Sequence, residues 1–577
     1  MDYQLEYENW VANPLLNAEG LRELTAIKDD ETQKEYRFGA ELQFGTAGMR
    51  GIIGYGTNMM NVYTVRRATQ GLADYISSLG DKAKARGVVI SYDTRKNSKL
   101  FANAAAGVLA ANGIYVYLFS DVRPVPVLSF AVRHLGATAG IMITASHNPK
   151  EYNGYKVYGE DGAQMSPEAT QKVVDYISNY KDYFAISADE HETSPLGVVS
   201  RYVQMIGKGI DKKYYRAVCK QALSKDAVKK ASKNLKLVYT PVHGSGFVPV
   251  TAVLSKLGIP VTVVQEQTVQ DDNFSTVQIP NPECAETLSM GVALADKIGA
   301  DVVIGTDPDC DRLGAAVRTA EGKFVCLSGN QTGILLLDYV LMRLKETKQL
   351  PKNGVVIKSF VSTGMAKSIA DEYGVELVDV PVGFKFIGEK MTQYEKDGSK
   401  KFLFGFEESC GYLRGNHCRD KDAVVASMLF AEMACYHASK NRTVYQRLTE
   451  IYDKYGFVYD CGESIAFSGI HAMRDMKAVV NALREKKIEN LDMYGVLATR
   501  NYIDGVRVTA DGEITELDVE KNNCIYYEIE NGSFICVRPS GTEPKLKIYY
   551  SIKALSEAKA MEAFAKLKAA FTAHLQV

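Results

Sequence analysis

Apolar, β-branched runs alternate with helix-period stripes along most of the chain. Val88-Val89-Ile90 is one such run, a polar loop from Ser91 to Ser98 follows, and Phe101, Ala104, Ala105, Val108 and Leu109 then fall on one stripe of a helix predicted over Leu100 to Ala111. Gly113 stops that helix, and Ile114 to Leu118 reads as the next strand. The pattern recurs with strand Leu235 to Tyr239, a loop through Gly244 and Gly246, a helix ending at Leu257, then Gly258 and strand Pro260 to Val264. It recurs again with Val355 to Ile357, a loop holding Gly364, a helix ending near Tyr373, then Gly374 and Val375 to Val380. Strand, glycine-closed helix and strand in that order predict a right-handed βαβ crossover in a largely parallel sheet. Three spaced copies predict three related α/β domains with mixed, largely parallel sheets.

The tail patterns differently. Short strands are predicted at Ile503 to Val508, Ser533 to Val537 and Leu546 to Ser551, with a loop from Arg538 to Pro544 and an amphipathic helix from Leu555 to about Leu575. This predicts a smaller C-terminal α+β domain. The first forty residues read as mostly helical, with charges on one face. The length of 577 residues suits roughly four domains at about 150 residues each. The expected divisions are residues 1–205, 206–325, 326–445 and 446–577.

Composition narrows the possible functions. A formal net charge of -1 provides no bulk field for nucleic acid or an anionic membrane, so anions must be held at local sites. No run of about 18 uninterrupted apolar residues appears, and the first ten residues carry acids rather than a leader-like apolar stretch. Ten cysteines are scattered singly with no CxxC pair, which suits reduced thiols in a soluble cytoplasmic protein. No motif addresses oligomeric state.

Four loops carry candidate chemistry. Thr144-Ala145-Ser146-His147-Asn148-Pro149 follows the apolar strand Ala139 to Ile143, at a strand end where α/β proteins place their sites. Pro149 would restrict the backbone and expose Ser146, while His147 and Lys156 would supply a base and positive charge for a serine nucleophile. A plain polar turn would have the same composition. The second loop, Gly305 to Arg312, places Asp307, Asp309 and Asp311 at alternate positions; in an extended loop they would point the same way and call for a divalent cation. Hard oxygen ligands suit Mg²⁺, and the spacing is not that of an EF-hand. A solvated acidic turn is the other reading. The third loop, Gly405 to Gly411, offers Glu407, Glu408 and Ser409 to vicinal sugar hydroxyls, or is merely structural. The fourth, Arg538-Pro539-Ser540-Gly541-Thr542-Glu543-Pro544, suits a phosphate dianion without the Lys-Ser/Thr ending of a nucleotide loop, or is a simple turn. Arg50, Lys385 and Lys421 lie in further loops where each taken singly reads as a surface charge, and His243 in Thr240 to Gly244 is equally open.

Taken together and in this order, the loops resemble those of the α-D-phosphohexomutase family, the phosphoglucomutases and phosphomannomutases. The resemblance covers nearly the whole chain and rests on Thr-Ala-Ser-His-Asn-Pro, Asp-x-Asp-x-Asp-Arg, Glu-Glu-Ser and Arg-Pro-Ser-Gly-Thr-Glu-Pro. It implies four domains around a central cleft, each giving one loop, and an isomerase that works by intramolecular phosphoryl transfer. It implies that Ser146 is a phosphoserine and that one Mg²⁺ per chain is held by its phosphate with Asp307, Asp309 and Asp311. Arg50, His147 and Lys156 would flank the moving group, with Lys156 and His147 both candidates for the proton acceptor. Glu407 and Ser409 would hold sugar hydroxyls, and Arg538, Ser540, Gly541 and Thr542 the phosphate that stays. Thr46, Arg312, Gly383, Lys385 and Lys421 join the expected substrate-binding set. Sugar phosphates are the implied partners, with glucose 1,6-bisphosphate as activator and intermediate. Glu407-Glu408-Ser409 looks like the phosphoglucomutase form of the sugar loop, and the length and N-terminal extension look like the bacterial group related to phosphoglucomutase-2 and phosphopentomutase. Ala47 and Met49 depart from the Ser and Leu common in relatives, without touching Arg50.

Overall fold

A computed structural model describes residues 2–45, 48–188, 201–231, 235–468, 471–540 and 544–575. Three short helices open the chain, Tyr3–Ala12, Ala18–Ala26 and Glu31–Phe38, each capped by a side chain (Asp2, Asn17, Asp30) that accepts orphan amides of the first turn. Trp10 anchors them, buried against Phe38, Tyr63, Tyr183 and Phe184.

The first sheet contains β1 (Gly48–Ile52), β2 (Val88–Tyr92), β3 (Val116–Phe119), β4 (Ala139–Ile143), β5 (Tyr152–Tyr158) and β6 (Val203–Ile206), ordered β1-β5-β4-β2-β3-β6. The second contains β7 (Leu237–Thr240), β8 (Thr262–Val263), β9 (Val302–Thr306), β10 (Leu313–Arg318) and β11 (Phe324–Leu327), ordered β11-β10-β9-β7-β8. The third contains β12 (Gly354–Ser359), β13 (Glu376–Val380), β14 (Lys401–Glu407) and β15 (Gly411–Leu413), ordered β13-β12-β14-β15.

One path underlies all three. Counted from β2, β7 and β12, the first strand of each path pairs in parallel with the second and the third, and a fourth strand returns antiparallel on the third; the first sheet adds β1 and β6 at its edges. The expected βαβ units are therefore present and repeat, with an antiparallel return added to each. The turn between third and fourth strands is the Ser146 loop in the first sheet, the Asp307–Asp311 loop in the second and the Glu408–Cys410 turn in the third. A non-glycine residue with positive φ sits in each: Ser146 at 53°, Cys310 at 51° and Cys410 at 60°. Side chains disfavour that conformation, so tertiary contacts must hold it.

One apolar cluster runs through the three units, with separate clusters beside it in the first and the second. Its axis is the helix Ala423–Ala438, in which residues from Ala423 to His437 are all buried; a helix apolar all round belongs inside.

The tail folds as an antiparallel sheet of β16 (Phe457–Ala466), β17 (Asn490–Leu491), β18 (Tyr494–Asn501), β19 (Val506–Thr509), β20 (Ile514–Glu516), β21 (Ile525–Ile529), β22 (Phe534–Pro539) and β23 (Lys545–Ala554), ordered β16-β23-β22-β21-β18-β19-β20 with β17 on β18. Helices Ala472–Glu485 and Glu557–Leu575 cover it through Val480, Leu483, Leu567 and Phe571. Two expectations shift. Ile503 lies in a turn rather than a strand, because Asp504-Gly505 reverses the chain with Gly505 at φ 75°. Arg538 belongs to the end of β22 rather than to the loop after it.

Candidate active site

Ser146 is held by its own loop and by the loop after β2. Thr144 Oγ1 donates to Asp93 Oδ2 at 2.6 Å and accepts the Ser146 amide at 2.8 Å. Asp93 Oδ1 accepts the Arg95 amide at 3.1 Å and the Ser98 hydroxyl at 2.8 Å. Arg95 is buried and gathers the carbonyls of the serine loop: Nη1 donates to Pro149 O at 2.9 Å and Tyr152 O at 3.1 Å, Nη2 to Asn148 O at 2.5 Å and to Ser146 O. Ser146 is only 6% exposed, contrary to the expectation that Pro149 would expose it. The left-handed turn aims the hydroxyl inward, toward the next unit, and Pro149 serves as a carbonyl acceptor instead.

That inward path meets the aspartates. Ser146 Oγ donates to Asp307 Oδ2 at 2.9 Å, and His147 Nδ1 lies 3.2 Å from the same Oγ. One oxygen each of Asp307, Asp309 and Asp311 falls within a 4.8 Å cluster, and all three residues are buried. The convergence arises differently from the alternation expected: the segment is a turn, not an extended loop, and Cys310 at positive φ reverses it. Asp307 Oδ1 accepts the amides of Asp311 at 3.1 Å and Arg312 at 3.0 Å. Asp309 Oδ1 and Asp311 Oδ1 are buried with no hydrogen-bond partner among the described residues. Buried carboxylate oxygens left without a partner are a costly arrangement that a bound cation would relieve. The all-oxygen donor set of Asp307, Asp309 and Asp311, with Ser146 beside it, has the chemistry that suits Mg²⁺.

Two lysines reach the same carboxylates. Lys156 Nζ is 2.9 Å from Asp309 Oδ2 and 3.8 Å from Asp311 Oδ2, and Lys421 Nζ is 3.1 Å from Asp311 Oδ2 and 3.0 Å from Asp420 Oδ1. Burial opposes the charge on Lys156, yet Asp309 and Asp311 hold its pKa above the ordinary value. Burial and the neighbouring Asp309 push Asp307 well up, whereas at Asp309 burial is opposed by Lys156, Asp307 and Lys421, which together pull it down. His147 moves the other way: burial, then Arg312 and the other cations around it, push it down to about 2. Arg50 Nη1 donates to Asn148 Oδ1 at 3.1 Å, and the β1–β5 register sets Arg50 opposite Gly154, on the face that Lys156 shares.

The sugar-loop candidates adjoin. Glu407 Oε1 accepts the Gly383 amide at 2.7 Å, and Gly383 has a φ of 126° that a side chain would strain. Burial raises the Glu407 pKa to about 7, with Lys421 pulling against it. Glu408 Oε2 accepts the Ser359 hydroxyl at 2.8 Å and that of Ser362 at 3.3 Å. Ser409 is half-buried in the same turn. Backbone bonds sew the loops together: Leu313 N to Cys410 O at 3.0 Å, Ala423 N to Cys310 O at 3.2 Å and Val125 N to Asp309 O at 3.0 Å. Cys310 and Cys410 are fully buried, and burial pushes both thiols up, so they shape turns rather than react.

Arg312 is paired with Glu283. Lys385 lies over the Phe386 ring at 4.7 Å, in a groove between the first and third units, and does not touch the aspartate cluster. Ser540 N donates to Lys545 O at 2.8 Å. Thr46, Gly541 and Thr542 lie outside the described residues. His243 is structural: Nδ1 is 2.9 Å from Val269 O and Nε2 2.9 Å from Thr276 Oγ1.

Several residues escaped the sequence reading. Asp93 and Arg95 sit in a polar loop after an apolar strand, a signal that was present. Asp420 anchors Lys421 while accepting Tyr158 Oη at 2.9 Å and Gln164 Nε2 at 3.2 Å. Lys547 stands opposite Arg538 across β22 and β23, a like-charge pair that only the hairpin register reveals. Lys547 is pushed down by partial desolvation and then by Arg538.

Comparison with known proteins agrees with this geometry. Residues 41–184, 212–322 and 328–455 match the family profiles described as phosphoglucomutase/phosphomannomutase α/β/α domains I, II and III. The phosphoglucomutase of Staphylococcus saprophyticus is 36% identical over 529 residues, covering 91% of this chain and 93% of that one. That of Staphylococcus aureus strain MRSA252 is 36% identical over 529 residues, covering 91% and 92%. Among solved structures, the open form of Paramecium pp63/parafusin superposes with a TM-score of 0.67 at 18% identity, covering 93% of this chain and 95% of that chain. A phosphoglucomutase/phosphomannomutase family protein of Burkholderia thailandensis gives 0.65 at 19% identity, covering 92% and 97%. At those identities the structural likenesses speak for the fold.

Proposed function

This chain belongs to the phosphoglucomutase/phosphomannomutase family, and we propose that it is a phosphoglucomutase, interconverting α-D-glucose 1-phosphate and glucose 6-phosphate through a phosphorylated Ser146. It is an isomerase that works by phosphoryl transfer. The observation that carries the Ser146 role is its buried hydroxyl, 2.9 Å from Asp307 in a cluster of three carboxylates. Strain at positive φ that aims a serine hydroxyl into three buried carboxylates supports a functional role.

Asp307, Asp309 and Asp311 would hold one Mg²⁺ with an oxygen of the Ser146 phosphoryl group. Bound there, the ion supplies neutralising charge for the moving phosphoryl group. Lys156 and Arg50 add positive charge from the β1–β5 face, which stabilises charge building on the equatorial oxygens. His147, with Nδ1 3.2 Å from Oγ, is one candidate for the serine proton when Ser146 recovers the phosphoryl group, and a pKa pushed down to about 2 makes it a weak base. Lys156, held protonated, suits charge stabilisation better than proton abstraction. Glu407, Ser409 and Lys421 line the sugar position, with Gly383 fixing Glu407. Thr46, Arg312 and Lys385 would contact substrate from the cleft walls. Arg538, Ser540, Gly541 and Thr542 would hold the phosphate that is not transferred, with Lys547 as a second cation.

The reaction needs a sugar bisphosphate that turns over within the cleft, so glucose 1,6-bisphosphate is both intermediate and activator. Four domains, over residues 1–205, 206–325, 326–445 and 446–577, would each give one loop to that cleft. No helix among the described residues is long and apolar enough to cross a membrane. Ten free cysteines suit a cytoplasmic setting. The test is turnover of glucose, mannose and ribose 1-phosphates by wild type and Ser146→Ala, with Mg²⁺ and bisphosphate present. Preference for glucose and loss of activity in the variant are expected; full turnover by Ser146→Ala sinks the proposal.

A further inference from the structure

Phe274 lies in the second unit, on the loop between the Gln265–Gln267 turn and the helix Ala285–Ile298, yet its ring faces the first unit. It is a non-glycine residue at φ 47° and 1% exposed. The Arg95 guanidinium carbon stands 5.1 Å from its ring centroid. Arg95 is the side chain that gathers the carbonyls of Ser146, Asn148, Pro149 and Tyr152, and its Nε is 3.4 Å from Asp93 Oδ2. Neither Phe274 nor Arg95 has a part in the chemistry.

The Phe274 loop is braced. The Asp271 carboxylate accepts the amides of Asn273 at 3.0 Å and Ser275 at 2.9 Å. Gln267 Nε2 donates to Thr276 Oγ1 at 3.0 Å, and His243 spans from Val269 O to that same hydroxyl. Two residues beyond His243, Ser245 donates its amide and its hydroxyl to Pro308 O, each at 2.8 Å, inside the aspartate loop. One turn after β7 therefore steadies both the aspartates and Phe274. A guanidinium over an aromatic face away from water gains most from that contact.

We propose that Phe274 is a positioning residue for Ser146: it fixes the Arg95 guanidinium, and Arg95 in turn sets the serine loop against Asp307. The proposal rests on Ser146 being the phosphoryl carrier. It also assigns His243 to the support of that clamp, which accounts for a buried histidine with both ring nitrogens engaged.

The experiment compares Phe274→Ala, Phe274→Leu and Phe274→Tyr with wild type in the full-length protein. For Phe274→Ala, kcat and the rate of Ser146 phosphorylation by glucose 1,6-bisphosphate should both fall about thirtyfold, or about 2 kcal/mol at 1.36 kcal/mol per tenfold. The KM for glucose 1-phosphate should stay within about threefold, because sugar and phosphate are held by other loops. Amide exchange over residues 144–152 should quicken, and thermal unfolding should shift little. Tyr should restore the rate, and Leu, which fills space without a ring face, should not. Wild-type kcat and exchange in the Ala variant would overturn the proposal, as would rescue by Leu equal to that by Tyr, or an activity loss that merely tracks a lowered Tm. If wild type itself takes no phosphate on Ser146, the functional reading fails, while the exchange of residues 144–152 still decides whether Phe274 positions the loop.

Discussion

Ser146 Oγ donates a 2.9 Å hydrogen bond to Asp307 Oδ2 across 161 residues of chain, joining the third-to-fourth-strand turn of the first sheet to the equivalent turn of the second. The repeat of one strand path makes that meeting possible. Each unit offers the same turn, and the backbone bonds between loops set the turns side by side.

The aspartate cluster trades stability for chemistry. Three buried carboxylates face Lys156 and Lys421, and Asp307, which neither lysine touches, is pushed well above its ordinary pKa by burial and then by Asp309. Asp307→Asn should raise the Tm of the metal-free protein by about 2 °C, because it removes the cost of burying an ionisable carboxyl beside two others. The same change should abolish the Tm increase given by Mg²⁺ and lower kcat about a hundredfold or more. Differential scanning fluorimetry with and without EDTA, beside an assay, reads all three. A lower metal-free Tm would contradict the role given to Asp307.

Arg538 and Lys547 stand directly opposite on antiparallel strands, a pairing that destabilises a ladder unless an anion lies between. Arg538→Ala and Lys547→Ala should each lower kcat/KM about tenfold to a hundredfold, the worth of a charge-assisted hydrogen bond. Neither should lower Tm. Inorganic phosphate should raise the wild-type Tm and leave both variants unmoved. An unchanged kcat/KM in Lys547→Ala would remove that lysine from the phosphate site.

Sequence and structure part company at identifiable places. The loops were legible because each follows a buried apolar strand, as Val302–Thr306 precedes Asp307. The left-handed turns at Ser146, Cys310 and Cys410 were not, since local preference opposes them and contacts with distant parts of the chain hold them. Arg95 escaped for a related reason: its acceptors are main-chain carbonyls, which any residue type supplies. Lys547 depended on hairpin register. The helix Ala423–Ala438 carries no stripe, because every face of it is covered. At Ile503 the turn signal Asp504-Gly505 outweighs the apolar run, and the strand begins only at Val506.

A pH dependence of stability follows from His437, far from the chemistry. Burial, then Arg442 and Arg447, push its pKa down to about 3, and its Nδ1 lies 2.9 Å from Arg442 Nη2. The folded protein thus refuses a proton that the unfolded chain accepts at its ordinary pKa near 6.5. The stabilisation is full above that value and is lost as pH falls from it toward 3. At pH 5 the loss should be about 2 kcal/mol. His437→Gln keeps an acceptor for Arg442 and should show a smaller drop in Tm between pH 7 and pH 5 than wild type. Equal drops would place the acid sensitivity elsewhere.

The account turns on whether the phosphoryl group passes through Ser146. Protein phosphorylated with labelled glucose 1,6-bisphosphate, freed of excess and mixed with stoichiometric glucose 1-phosphate and Mg²⁺, answers this in one rapid-quench series. Label should sit on the Ser146 peptide at the start and move to sugar phosphate at a rate no slower than kcat. Label that stays on Ser146 while glucose 6-phosphate forms, or that never sits there in an active protein, would contradict the central claim.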